Sequence, residues 1–183
     1  MERIRMTGAP APLMSSNDWS HWMKHQRLKL QSYRHRHRLR DLPEELQTLV
    51  AVHPFLLDAR DTQVAPADLR RTWLLSGGRG AGKTRAGAEW VRWAVLQAGY
   101  RRVALVAPSF NDVREVMIEG PSGLIWTSGK WDRPVWQPSR HRLEWPNGAL
   151  AYGFSAEDPD SLRGPQFDLA WCDEAGADRK SVV

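Results

Sequence analysis

The sequence predicts an α/β domain with a mainly parallel sheet and helices on both of its faces. Three observations carry that prediction. A short apolar run, Trp73-Leu74-Leu75-Ser76, breaks off in glycines; a helical stretch from Thr84 to Ala98 follows; and a second apolar run, Arg102-Val103-Ala104-Leu105-Val106-Ala107, is closed by Pro108. Strand, helix and strand at that spacing make a right-handed parallel unit, because a crossover helix packs back onto a twisted sheet in one hand only.

The elements follow in chain order. Residues 1–17 are rich in Pro, Ser and Met without periodicity and read as a flexible leader. From Asp18 to Leu42 the apolar residues Trp19, Trp22, Met23, Leu28, Leu30, Leu39 and Leu42 loosely fit a 3.6-residue period until Pro43 interrupts, which predicts a basic helical arm. Residues 1–40 hold nine Lys and Arg against two Asp and Glu, so they carry +7 while the rest of the chain carries −2. Such an arm is either a solvated face or a segment that lies along phosphates with steep salt dependence. Glu44 to Arg60 reads as a helix in two pieces, broken near Pro54, and Gly99 stops the helix that begins at Thr84. Further on, His141 to Trp145 and Ala149 to Phe154 flank Pro146-Asn147-Gly148, a hairpin signal because Asn and Gly tolerate positive φ. The last strand, Phe167 to Cys172, ends at two acids.

Composition removes several classes of function. The chain is 42% apolar with ten Trp, enough to seed a core and too much for a disordered tail. No apolar run approaches the roughly 20 residues of a membrane span, and the first residues lack the apolar centre of a secretory signal. A single cysteine, Cys172, excludes an intrachain disulfide framework and a cysteine-cluster zinc site, so a reducing cytoplasm is the expected compartment.

The sharpest motif is Gly77-Gly78-Arg79-Gly80-Ala81-Gly82-Lys83-Thr84, which satisfies G-x-x-x-x-G-K-[ST] between a predicted strand and a predicted helix. Its glycines let backbone N–H groups curl around a triphosphate, and the helix start adds its positive end. Lys83 is suited to the β and γ phosphates of ATP and the Thr84 hydroxyl to Mg²⁺. Arg79 would neutralise charge developing on the γ phosphate. Hydrolysis also needs a metal-shell acid and a group that polarises water, and the apolar strand ending in Asp173-Glu174 supplies both: Asp173 for the Mg²⁺ shell, Glu174 for the water. Asp168 lies at the other end of that strand. Trp90 and Trp93, on the helix after the loop, are expected to pack on the sheet rather than stack on a base.

These motifs resemble the large terminase subunit, the DNA-packaging ATPase of tailed phages, in the version found in prophages and gene transfer agents. The stretches that carry the resemblance are WLLSGGRGAGKTRAGAEWVRWA (73–94), VALVAPSFNDVREVMIEGPSGLI (103–125), RLEWPNGALAYGFSAEDPDSLRGPQFDLAWCDE (142–174) and, more weakly, ARDTQVAP (59–66). The resemblance implies a RecA-like P-loop NTPase fold that uses ATP and Mg²⁺, with Lys83, Thr84, Asp173 and Glu174 in the roles above. It also implies Arg79 as a γ-phosphate sensor and Gln63 as an adenine contact. Implied partners are double-stranded DNA, a portal or procapsid, a small terminase subunit and further copies of the chain, in the cytoplasm of a bacterial host with no membrane involved.

Two departures qualify that reading, and the first is that the basic N-terminal 40 residues have no clear family counterpart. After Glu174 the chain reads AGADRKSVV, unlike the family's continuation toward a coupling motif and a nuclease domain. The expected organisation is therefore a leader and basic arm over 1–42 and an incomplete, truncated ATPase domain over 43–183, without nuclease and with weak turnover. Alternative readings are a non-catalytic or nucleic-acid-binding remnant and a helicase-like remodeller, which shares the loop and the acidic strand.

Overall fold

The computed structural model describes residues 43–65, 72–163 and 166–174. The leader and basic arm over 1–42 and the terminal residues 175–183 lie outside the described residues. Pro43 opens the first helix, α1 (Glu44–Val52), its carbonyl accepting from the N–H groups of Leu46 and Gln47. Leu46 and Val50, one turn apart, are buried. Pro54 then starts a separate short helix, α2 (Phe55–Asp58), so the expected break is present. A 3₁₀ turn, Asp61–Gln63, completes this segment.

Helix α3 (Lys83–Leu96) begins at Gly82 and buries a face of small residues, Ala86, Gly87, Ala88, Val91, Ala94 and Val95. Gly87 is required there: a Cβ would lie inside the Trp171 ring. The helix ends two residues before the expected Ala98, and Gly99 turns the chain with φ of +77°. Strand β1 (Arg102–Ala107) follows with the expected bounds. Next comes a short helix that sequence patterning missed, α4 (Phe110–Asp112), running into a π-type turn over Val113–Ile118. A local signal was present: Ser109 Oγ accepts from Asp112 N–H while the Asp112 carboxylate accepts from Ser109 N–H, a reciprocal cap. Helix α5 (Leu124–Thr127) precedes strands β2 (Val135–Gln137), β3 (Arg142–Glu144), β4 (Leu150–Ser155) and β5 (Leu169–Cys172).

The sheet has the order β2-β3-β4-β1-β5. It is mixed, which corrects the expectation of a mainly parallel sheet: β1 runs parallel to β4 and β5, whereas β2, β3 and β4 are antiparallel neighbours. The reason lies in the hairpin. A tight turn at Asn147 and Gly148 forces β3 to run against β4, and β2 extends the same meander. Of the two turn residues only Gly148 takes positive φ, +82°. Asn147 instead uses its side chain, accepting from Ala149 N–H and donating to Val95 O at the end of α3.

A second correction concerns Trp73-Leu74-Leu75-Ser76, which forms no strand. Both flanks of β1 are taken by β4 and β5, the segment does not join the outer edge of β5 either, and Leu74 is 85% exposed. The apolar signal is spent on side-chain contact, with the Trp73 ring edge-on to Trp90 at 6.3 Å between centroids. Trp90 itself packs against the core.

The parallel register places Val103, Leu105, Ala107, Ala151, Leu169 and Trp171 on one face of the sheet. Against them pack Ala88, Val91 and Val95 of α3, Val113, Met117 and Ile118 of the turn, and Leu124 of α5. These helices thus gather on one face, which corrects the expectation of helices on both: Ala170 and Cys172, on the other face, are exposed. Tyr152 and Phe154 on that second face meet the ring of Phe167.

Candidate functional site

Glycine sets the shape of the loop ahead of α3. Gly80 and Gly82 take φ of +78° and +75°, left-handed backbone that glycine adopts without steric cost. Gly82 is the N-cap of α3 and no side chain caps that end, so the first N–H groups of a 14-residue helix and the positive end of its dipole are offered to a ligand. Lys83 folds back on the loop: Nζ donates to the carbonyls of Gly77 at 2.9 Å and Gly78 at 3.1 Å.

The acidic pair is positioned by the sheet. Asp173 N–H donates to Val106 O at 2.9 Å, extending the β1–β5 ladder one residue past β5. Across 89 residues of sequence, the Thr84 hydroxyl then donates to Asp173 Oδ2 at 3.2 Å. Burial raises the Asp173 carboxyl above the usual range, opposed by the Thr84 hydrogen bond. Glu174 follows with φ of +52°, left-handed backbone that a residue with a Cβ resists. At the opposite end of β5, Asp168 Oδ2 accepts from the N–H groups of both Arg101 and Arg102, which pins the start of β1.

Arg79, Lys83, Thr84, Asp173 and Glu174 line one open cleft of about 690 Å³, whose remaining wall includes Glu115 and Ser122 from the segment after β1. That volume is within the roughly 300–1,000 Å³ common for small-molecule sites. Gly80, Ala81 and Gly82 line it too. Gln63 stands elsewhere. It is buried behind the loop, its Nε2 donating to Ala81 O and Gly82 O and its Oε1 accepting from Arg60 N–H. Sequence reasoning missed Arg60, whose guanidinium donates to Ala81 O at 2.5 Å, although it lies inside the stretch ARDTQVAP. Glu115 and Ser122 were missed as well, although both lie inside the stretch 103–125 that carries the resemblance. No group of three or more His, Cys, Asp or Glu suited to a metal occurs among the described residues. Thr84 and Asp173 are hard oxygen donors, and two such donors suit Mg²⁺ shared with phosphates, since that ion keeps most of its shell as water and substrate oxygen.

Residues 74–183 match the family described as "Terminase large subunit, T4likevirus-type, N-terminal". The chain belongs to that family. Among solved structures it is similar to the large terminase ATPase domain of Thermus phage P74-26, with 22% sequence identity, a TM-score of 0.42 and coverage of 54% of this chain. This terminase chain spans 45% of the length of that one. No curated protein matches it.

Proposed function

We propose that this terminase chain binds Mg·ATP in the cleft between the glycine loop and the Asp173-Glu174 pair, and that it hydrolyses ATP as the ATPase portion of a motor that packages double-stranded DNA. The observation that carries the reading is the Thr84–Asp173 hydrogen bond, which brings the loop and the acidic strand end together. In this reading the loop N–H groups and Lys83 bind the β and γ phosphates, and Lys83 exchanges its two carbonyl acceptors for phosphate oxygens. Mg²⁺ held beside Thr84 and Asp173 supplies charge neutralisation on the phosphates. Arg79, on the exposed part of the loop, stabilises the departing γ-phosphoryl charge, and Glu174 orients the attacking water and accepts its proton. Double-stranded DNA, a portal or procapsid and a small terminase subunit are the proposed partners, in a bacterial cytoplasm. No helix among the described residues is long and apolar enough to cross a membrane.

Calorimetric titration with Mg·ATP tests the site. Lys83→Ala removes a charge-assisted contact worth about 2 kcal/mol, so affinity should fall by more than ten-fold. An unchanged affinity removes the phosphate-loop reading. Turnover with and without double-stranded DNA then tests the motor assignment, and Glu174→Gln should abolish turnover while preserving ATP binding.

A further inference from the structure

The phosphate loop is held from behind by residues far upstream in the sequence. A loop that turns its N–H groups toward phosphate must turn carbonyls the other way, and those carbonyls need donors. Gly82 O accepts from Ala86 N–H, so the helical ladder begins at Gly82 and Ala81 O lies one residue ahead of it. Two side chains bond to that carbonyl instead: Arg60 through Nη2 and Gln63 through Nε2. The peptide between Ala81 and Gly82 is planar and trans, so its carbonyl and its N–H point in opposite directions. Tying Ala81 O to Arg60 and Gln63 therefore aims Gly82 N–H away from the Asp61–Gln63 turn and toward the cleft that Ala81 and Gly82 line.

The two holders are themselves coupled. Gln63 Oε1 accepts from the backbone N–H of Arg60, which closes the short turn and fixes the Gln63 side chain beside the carbonyl that the Arg60 guanidinium also reaches. The fit leaves no slack, because a Cβ on Gly82 would overlap the Gln63 amide.

We propose that Arg60 is a positioning residue for phosphate binding: with Gln63 as its support, it orients the Ala81–Gly82 peptide so that the loop is organised before a phosphate arrives. The proposal rests on the nucleotide reading above, and its consequence is specific to phosphate. Arg60 touches the loop backbone, so its loss should weaken ligands that carry β and γ phosphates and leave adenosine unaffected. Arg60 is exposed, so its replacement should also leave the fold intact.

The test uses the full chain with Arg60→Gln and Arg60→Lys beside Lys83→Ala. Calorimetry with Mg·ATP and with adenosine, together with thermal melts without ligand, should show Arg60→Gln weakening ATP by on the order of ten-fold, one charge-assisted hydrogen bond. Adenosine affinity and the melting temperature should stay unchanged, and Arg60→Lys, which keeps one charged donor, should recover most of the loss. Undiminished ATP affinity in Arg60→Gln, or an equal loss for adenosine, overturns the proposal. Amide hydrogen exchange without nucleotide gives an independent reading. Exchange over residues 77–84 should accelerate several-fold in Arg60→Gln while β1 is unaffected, and unchanged exchange there overturns the proposal even if ATP does not bind. Failure of the nucleotide reading shows separately, as ATP affinity that Lys83→Ala leaves untouched.

Discussion

His53 should make this protein lose stability in mild acid, and the loss can be computed from its surroundings. The side chain is 3% exposed, its Nε2 has no hydrogen-bond partner among the described residues, and it lies close enough to the buried Arg92 guanidinium to feel its charge. Burial first, and the positive charge of Arg92 second, lower its pKa from 6.5 to about 3. Glu89, the acid that shares its pocket, is already bound to Arg85 and Arg92. The sign follows from proton counting. Between about 3 and 6.5 the unfolded chain binds a proton at His53 and the folded chain does not, so stability is complete above 6.5 and falls as pH drops toward 3. Each unit below 6.5 removes about 1.4 kcal/mol, so roughly 2 kcal/mol should be gone at pH 5. Because pH 5 lies well above the folded value, that figure depends on the unfolded pKa alone. Urea unfolding at pH 7.5 and pH 5.0, for the native chain and for His53→Phe, isolates this effect, since all other titrating groups are shared. The native chain should lose about 2 kcal/mol more than His53→Phe between the two pH values. Parallel losses in the two proteins would refute the reasoning.

Arg92 and Asp132 form a buried ion pair, so Arg92→Met alone should cost about 3–5 kcal/mol by leaving a buried carboxylate without its partner, while Arg92→Met with Asp132→Leu should recover most of it in urea unfolding. Gly87→Ala places a methyl inside the Trp171 ring and should cost about 1–3 kcal/mol, read as a lower melting temperature. Deleting residues 1–42 removes a segment of +6 net charge, and binding to double-stranded DNA should weaken with a shallower salt dependence and no change in sequence preference, as fluorescence anisotropy would record.

What could be read in advance divides along a physical line. Arg102–Ala107 was legible to the residue because a central strand with neighbours on both sides is apolar after its first residue, and Pro108 ends it. The loop was legible because its glycines answer to backbone geometry, and Gly80 and Gly82 do take the left-handed conformation. Trp73 to Ser76 carries an apolar pattern and failed, because pairing depends on a partner strand elsewhere in the chain and nothing in the segment encodes one. Strand β2 is only three residues long at the sheet edge, with Val135 63% exposed, too short to show a period. Arg60 was invisible for another reason. Its partner is a backbone carbonyl 21 residues away, and a carbonyl has no sequence signature.

The site itself is a product of packing between residues that carry no chemistry. Thr84 and Asp173 meet because α3 lies close against β5, and the contact that sets their approach is Gly87 on Trp171, one helical turn from Thr84 and two residues from Asp173. Along the strand, Asp173 is held in register by β1 through Val106 O, while Asp168 at the other end grips the N–H groups of Arg102, which opens β1, and of Arg101 just before it. Behind the loop, Arg60 and Gln63 hold Ala81 and Gly82 from the side away from the cleft. Thr84, Asp173 and the Ala81–Gly82 peptide are thus fixed by residues that do not line the cleft. A substitution at Gly87 or Arg60 should therefore act at the cleft as surely as one at Lys83, the first by separating the hydroxyl from the carboxylate and the second by releasing the loop peptide.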